Sequence, residues 1–410
     1  MKRTTSVVAV LLALALVGAA CGRDKKAADA PGFDGKTIKL GVLEGVSGPI
    51  ADPIGKPLSA GGDAYWARVN AAGGVAGKYK VELVKEDTAY NNEQTKAKYT
   101  KIKNDVVMFS QILGTPPTKT VLVDLKTDGI AASPASLDAA WVREPNLFPV
   151  GSTYQLQFIN AASWLVNDEG FKTKPICQMA IESEYGNAGI EGLTTAAKEL
   201  GFTVAATARF KGTADEEYTA QVAALQKAKC AAVFLTALPS NTGRIIGAAA
   251  QKGLTPRWIG QSPTWVSALA ASPTLAPLLQ KTFYWTSEGT TWGDTSVKGM
   301  KELIADVAKY APTQKPDVYF VFGYSQAKGV HAVLEQAAKN NDFSRAGILK
   351  AISEVSVDYE GLLGKYTYGS AANRSPSRET VIFKVNPAVP GALEKVKAVT
   401  SDVASKLKIG

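Results

Sequence analysis

The sequence predicts an α/β protein built as two doubly wound parallel-sheet lobes. Short β-rich runs alternate with helical stretches from Lys36 onward, and the same grammar restarts near Tyr154. A later stretch, Ser296–Lys350, is nearly all helical and brings no strands of its own. Length agrees, since 410 residues suffice for two or three domains with substantial cores.

Ahead of that pattern, Met1–Arg3 supplies a short basic start and Val7–Val17 an almost unbroken apolar run. Such a run is too short for a stable anchor and suits the core of a signal peptide, predicted over residues 1–20. It ends in Gly18-Ala19-Ala20-Cys21, which is similar to a bacterial lipobox, with Cys21 lipidated as the first mature residue. An ordinary cleaved signal with an incidental cysteine is the alternative. Residues 21–35, charged and Ala-rich around Pro31-Gly32, read as a flexible tether.

The first half then gives strand Ile38–Leu43, helix Leu58–Asn70, strand Tyr79–Glu86, helix Glu93–Lys103, strand Val106–Ser110, helix Thr118–Lys126 and strand Ile130–Ala132. The second gives helix Gln155–Glu169, strand Ile176–Ile181, helix Ala188–Leu200, strand Thr203–Ala208, helix Glu217–Lys227, strand Ala231–Thr236, helix Gly243–Lys252 and strand Arg257–Ile259. Helices without a sheet must pack on one already built, so Ser296–Lys350 is expected to return to the first half. Strand-like Lys365–Tyr368 and Val381–Val385 follow. The Lys-rich end from Pro390 is undecided between a cap on the second lobe and a loose tail. Cys177 and Cys230 lie near the starts of two strands that neighbour each other in a doubly wound sheet. A disulfide and two buried thiols both remain open.

Composition excludes several functions. A single histidine, His331, rules out multi-His metal sites, and it sits among apolar helical neighbours, which gives it a structural reading. The formal charge is +9, or 9 − 2 = +7 once Lys2 and Arg3 leave with the leader, and the basic residues are scattered. That pattern is a solvated surface, with no nucleic-acid footprint. Nucleophile-elbow, zinc-protease and phosphate-loop motifs are absent, and no cofactor is called for.

In a doubly wound sheet, ligands bind at the carboxyl ends of the strands. That rule selects Glu44–Pro49, Gln111–Pro117, Ser133–Asp138, Glu182–Gly186, Ala237–Thr242 and Gly260–Trp265. Several stretches, "IKLGVLEGVSGPIADPIG", "NAAGGVAG", "ASPAS", "ESEYGNAG" and "GRIIGAAAQKGL", together resemble the type I periplasmic binding proteins for leucine, isoleucine and valine. The resemblance runs from about Thr37 to beyond Tyr368. It implies a receptor whose lobes, 36–152 with 287–362 and 153–286 with 363–410, are joined by a hinge of three crossovers. It also implies partners: a small-molecule ligand, the permease and ATPase subunits of an ABC importer, and the outer face of the cell membrane through the lipid anchor.

Carried onto this chain, the family's ligand-binding positions are Gly114, Thr115, Ala135 and Ser136 on one lobe and Tyr185 on the other. Leu137 stands where a hydroxyl residue is common, and Leu238 and Ile54 where aromatics are common. Ser262 occupies the place of the acid that holds the α-ammonium. A neutral hydroxyl does not offset the dehydration of an ammonium in a closed cleft, which favours an uncharged or carboxylated apolar solute (an aromatic or aliphatic acid, or an amide) over a zwitterionic amino acid. Ser47 and Tyr324 are further candidates, each with a capping or core alternative, and Tyr185 has a surface-turn alternative. Glu44, Glu182 or Glu184 could restore the missing charge or simply be solvated. A ligand sensor with the same fold and an exported hydrolase are the competing functions.

Overall fold

The computed structural model describes residues 30–410; the predicted signal peptide and Cys21 lie outside them. Residues 30–35 are packed on the first lobe, where a tether was expected. The Phe33 ring is buried against Tyr79 and Phe343, at centroid distances of 5.3 and 4.5 Å.

Four parallel strands form the first sheet: β1 (Thr37–Glu44), β2 (Lys80–Asp87), β3 (Met108–Leu113) and β4 (Ala132–Ala135), in spatial order β2-β1-β3-β4. They alternate with helices α1 (Lys56–Ala71), α2 (Asn92–Ile102) and α3 (Thr115–Asp128). β3 is buried at every position, as expected for a strand covered on both faces.

The second half runs α4 (Tyr154–Asn167), β5 (Ile176–Ile181), α5 (Glu184–Leu200), β6 (Val204–Phe210), α6 (Thr219–Lys227), β7 (Ala232–Thr236), α7 (Pro239–Gln251), β8 (Arg257–Gly260), α8 (Ala276–Thr282) and β9 (Phe283–Ser287). The chain then crosses back, and α9 (Lys298–Tyr310), α10 (Val318–Lys339) and α11 (Arg345–Glu354) follow. α10 packs mainly on α1, so the helical stretch returns to the first sheet as expected. A small antiparallel pair, β10 (Ser356–Val357) and β11 (Tyr366–Thr367), precedes β12 (Thr380–Val385), β13 (Leu393–Val399) and α12 (Asp402–Lys406).

The second sheet has seven strands in the order β13-β12-β9-β8-β7-β5-β6. Its β6-to-β9 part is parallel, but β12 runs antiparallel to both β9 and β13. The undecided C-terminal stretch is therefore an edge strand of the second lobe. Cys177 in β5 and Cys230, just before β7, are joined by a disulfide with the Cα atoms 5.7 Å apart.

The three crossovers are laced to one another. Tyr368 stacks on Phe148 at 4.1 Å and donates its hydroxyl to the Pro149 carbonyl at 2.7 Å. Gly289 pairs with Leu363 in an antiparallel bridge. Buried Arg374 donates to the carbonyl of Glu144 at 2.6 Å.

Candidate functional site

A largely apolar cavity lies between the two lobes. Every loop selected by the strand-end rule contributes to its wall except Glu44–Pro49. From the first lobe come Ile54, Gly114, Thr115, Ala135, Ser136 and Leu137, and from the second Tyr185, Leu238 and Ser262. No Lys, Arg or His lines it.

Two candidates fall elsewhere. Ser47 is exposed outside the cavity and caps no helix either: its amide donates to Asp87 Oδ1 at 3.4 Å, and the turn that follows begins at Ile50 without a side-chain cap. Tyr324 is buried between α10 and α1, where its hydroxyl bonds Asp306 and accepts from Arg68 at 3.3 Å. Glu182 and Glu184 are exposed. Glu44 is buried outside the cavity, 3.8 Å from Lys85. His331 bonds Tyr65 at 2.9 Å and Glu335 at 3.1 Å within the first lobe.

The hydroxyl pair on the first lobe is more committed than its sequence suggests. Thr115 and Ser136 share a 2.7 Å hydrogen bond, and the indole of Trp141 donates to Ser136 Oγ at 2.9 Å. With one hydroxyl proton used between them, a single O–H is left for a ligand. The amide of Gly114 is spent on the Ala135 carbonyl at 3.1 Å, and Pro116 and Pro117 bring no N–H to the first turn of α3. A carboxylate therefore finds fewer donors here than at an ordinary helix N-terminus. Gly114 has φ 104°, and a Cβ there would meet the Tyr90 ring at 2.3 Å, so glycine is required for Tyr90 to reach the cavity wall.

Aromatic surface missing at Leu238 and Ile54 is supplied from other elements. Tyr90, Tyr154, Trp285, Tyr319 and Phe322 all line the cavity. Tyr154 and Tyr185 pack at 4.9 Å, and Tyr319 donates to the Trp265 carbonyl at 2.8 Å. Burial, with the charge of Glu184 added, pushes the Tyr90 phenol up to about 12. Burial likewise raises Tyr154, Tyr185 and Tyr319. All four phenols are neutral near neutral pH, and those of Tyr185 and Tyr319 already donate to the carbonyls of Ala237 and Trp265.

A carboxyl that the sequence reading missed completes the wall. Glu288 follows β9 on the second crossover and reaches Ser262, whose hydroxyl donates to Glu288 Oε2 at 2.6 Å. Gln157 on α4 donates to the same oxygen at 3.2 Å and to Ser262 Oγ at 2.5 Å, while its own Oε1 accepts from the Ser262 amide at 3.0 Å. Ser262 itself brings no charge, as expected, but an acid from another segment stands directly behind that serine. Burial raises the Glu288 pKa, offset in part by bonds from Ser262, its own amide, Gln157 and Ser287. Gly151, at φ 74°, lies against it, and a Cβ there would come within 2.9 Å of Glu288 Cγ.

Residues 37–390 match the sequence model of the periplasmic binding proteins. The chain belongs to that family. Comparison with curated proteins finds no match. A fatty acid ABC transporter substrate-binding protein from Thermomonospora curvata is 28% identical with a TM-score of 0.86, covering 94% of this chain and 98% of that one. A branched-chain amino acid ABC transporter protein from Thermus thermophilus, with bound valine, is 18% identical with a TM-score of 0.76, covering 90% and 98%. A branched-chain amino acid transporter substrate-binding protein from Streptococcus pneumoniae, in complex with isoleucine, is 20% identical with a TM-score of 0.69, covering 88% and 99%. These last two share the fold of this type I periplasmic binding protein. Among the described residues no helix is long and apolar enough to cross a membrane.

Proposed function

We propose that the protein is the extracytoplasmic solute receptor of an ABC importer, holding a mainly apolar solute between its lobes and releasing it unchanged. The lobes are assigned as 36–152 with 287–362 and 153–286 with 363–410, which gives the four-stranded sheet to the first and all but the last residue of the seven-stranded sheet to the second, and divides the small β10–β11 pair between them. One observation carries the ligand class: an interlobe cavity lined by aliphatic and aromatic side chains, with no cation and few free donors. The fatty acid label of the Thermomonospora curvata relative points the same way. Cys21 is assigned as the lipid attachment that keeps the receptor at the membrane, on the strength of the small residues that precede it.

The energetics are adequate. A micromolar dissociation constant corresponds to about 8 kcal/mol. Burying ~200 Å² of apolar ligand surface contributes roughly 5 kcal/mol, and a few hydrogen bonds add to this against the entropy of association. Closure follows because a ligand touching both lobes favours the state in which both contacts are made.

Thermal unfolding with octanoate, phenylacetate, octanamide and leucine tests this reading. At about a hundred times the dissociation constant a ligand adds ~2.7 kcal/mol, a shift of several degrees. The acids or the amide are expected to give that shift and leucine little or none. A large shift with leucine alone would overturn the ligand class, and turnover of esters or amides would overturn the receptor reading.

A further inference from the structure

We propose that Glu288 recognises the polar end of the ligand as a neutral carboxylic acid, its Oε1–H donating to a carboxylate or carbonyl oxygen. This rests on the apolar-solute reading above and identifies the headgroup chemistry that reading leaves open. The geometry distinguishes the two oxygens. Ser262 and Gln157 both donate to Oε2, and Gln157 cannot turn around because its own oxygen holds the Ser262 amide. Oε2 is thereby fixed as the acceptor, and neither Ser262 nor Gln157 engages Oε1. A carboxyl proton belongs on the oxygen that is not already accepting, so the group presents an O–H on its free side.

The surroundings disfavour the ionised alternative. No Lys, Arg or His lines the cavity to balance a carboxylate. Facing it are the phenols of Tyr154 on α4 and Tyr319 on α10, both kept neutral by burial. Charged groups beyond them are acidic: Asp138 on the first crossover and Asp317, which caps α10 through the amides of Tyr319 and Phe320. Neither supplies a counter-ion. Burial raises the Glu288 pKa in the same direction.

A carboxylate ligand would then share one proton with Glu288, and its binding takes up a proton wherever the free carboxyl is ionised. Above the Glu288 pKa the affinity for octanoate falls by up to tenfold per pH unit. An amide ligand escapes this, because its N–H groups can face an ionised Oε1 while its oxygen turns to the remaining hydroxyl of the Thr115–Ser136 pair.

Calorimetric titration of the full-length mature protein and its Glu288→Gln variant with octanoate, octanamide and octylamine, between about pH 5.5 and about pH 8.0, separates the possibilities. Glutamine keeps the acceptor towards Ser262 and Gln157 and turns an N–H towards the ligand. E288Q is expected to bind octanoate at the higher pH at least as well as wild type does at the lower, with the pH slope and proton uptake abolished. Loss of octanoate binding by tenfold or more at every pH in a folded E288Q, or a wild-type affinity for octanoate that does not change with pH, would overturn the assignment alone. Preference for octylamine, lost in E288Q, would make Glu288 an ionised charge partner and overturn it as well. Leucine bound in preference to all three probes would overturn both this and the ligand class.

Discussion

Trp141 decides what Ser136 can offer a ligand. Its indole N–H occupies one lone pair of Ser136 Oγ, and Thr115 takes the next position. Both hydroxyls were readable from the order of their motifs, but the donor beneath them was not, because Trp141 lies in a short 3-10 turn with no periodicity to place it. Substituting Ser136→Ala leaves the Trp141 N–H buried without a partner, at a cost of about 1–3 kcal/mol. Urea unfolding should register that loss, and an unchanged midpoint would show that the indole finds another acceptor. Glu288 was illegible for a different reason. Nothing in "TSEGT" marks a site, and only the crossing of the chain between lobes brings it behind Ser262, some 26 positions earlier in the sequence. The Ser262 hydroxyl was the visible half of a pair whose other half comes from the second crossover.

At the scale of elements, helices were legible wherever an apolar face recurs at helical spacing, and strands wherever a β-branched run stands between turns. β9 escaped because α8 ends at Thr282 and the strand begins at Phe283 with no turn residue between them. β13 escaped because its lysines hide the alternation; they suit an edge strand, where charge discourages pairing with another chain. Between helices, Glu360 holds α9 and α10 together through Lys298 and Lys328. Those two ammonium groups lower its carboxyl to about 2, below the unfolded value. The contribution is therefore complete above the ordinary glutamate pKa and is lost as pH falls from about 4.5 towards 2. Near the surface it amounts to about 1 kcal/mol or less. Glu360→Gln should lower stability at neutral pH and leave it unchanged in strong acid, as followed by denaturant midpoints; an equal loss at both pH values would mean that packing, not charge, is at stake.

Over the whole molecule, chain crossing does what neither lobe achieves alone. Each sheet presents its strand ends to the same gap, and the first and second crossovers carry Leu137 and Glu288 to its wall. Two lobes laced at one edge can part and close while the cores stay intact. The general plan was legible because alternation restarts at Tyr154; the composition of the wall was not, since Tyr90, Tyr154, Trp285 and Tyr319 come from segments that no strand-end rule selects. Such a wall suits a solute held by apolar contact and one or two hydrogen bonds, with no reacting group needed. Native mass spectrometry of the protein purified from its own host tests this most directly. One apolar acid or amide per chain, recovered chemically intact on denaturation, is the predicted result. Stoichiometric recovery of a zwitterionic amino acid, or of a cleaved product, would contradict the account.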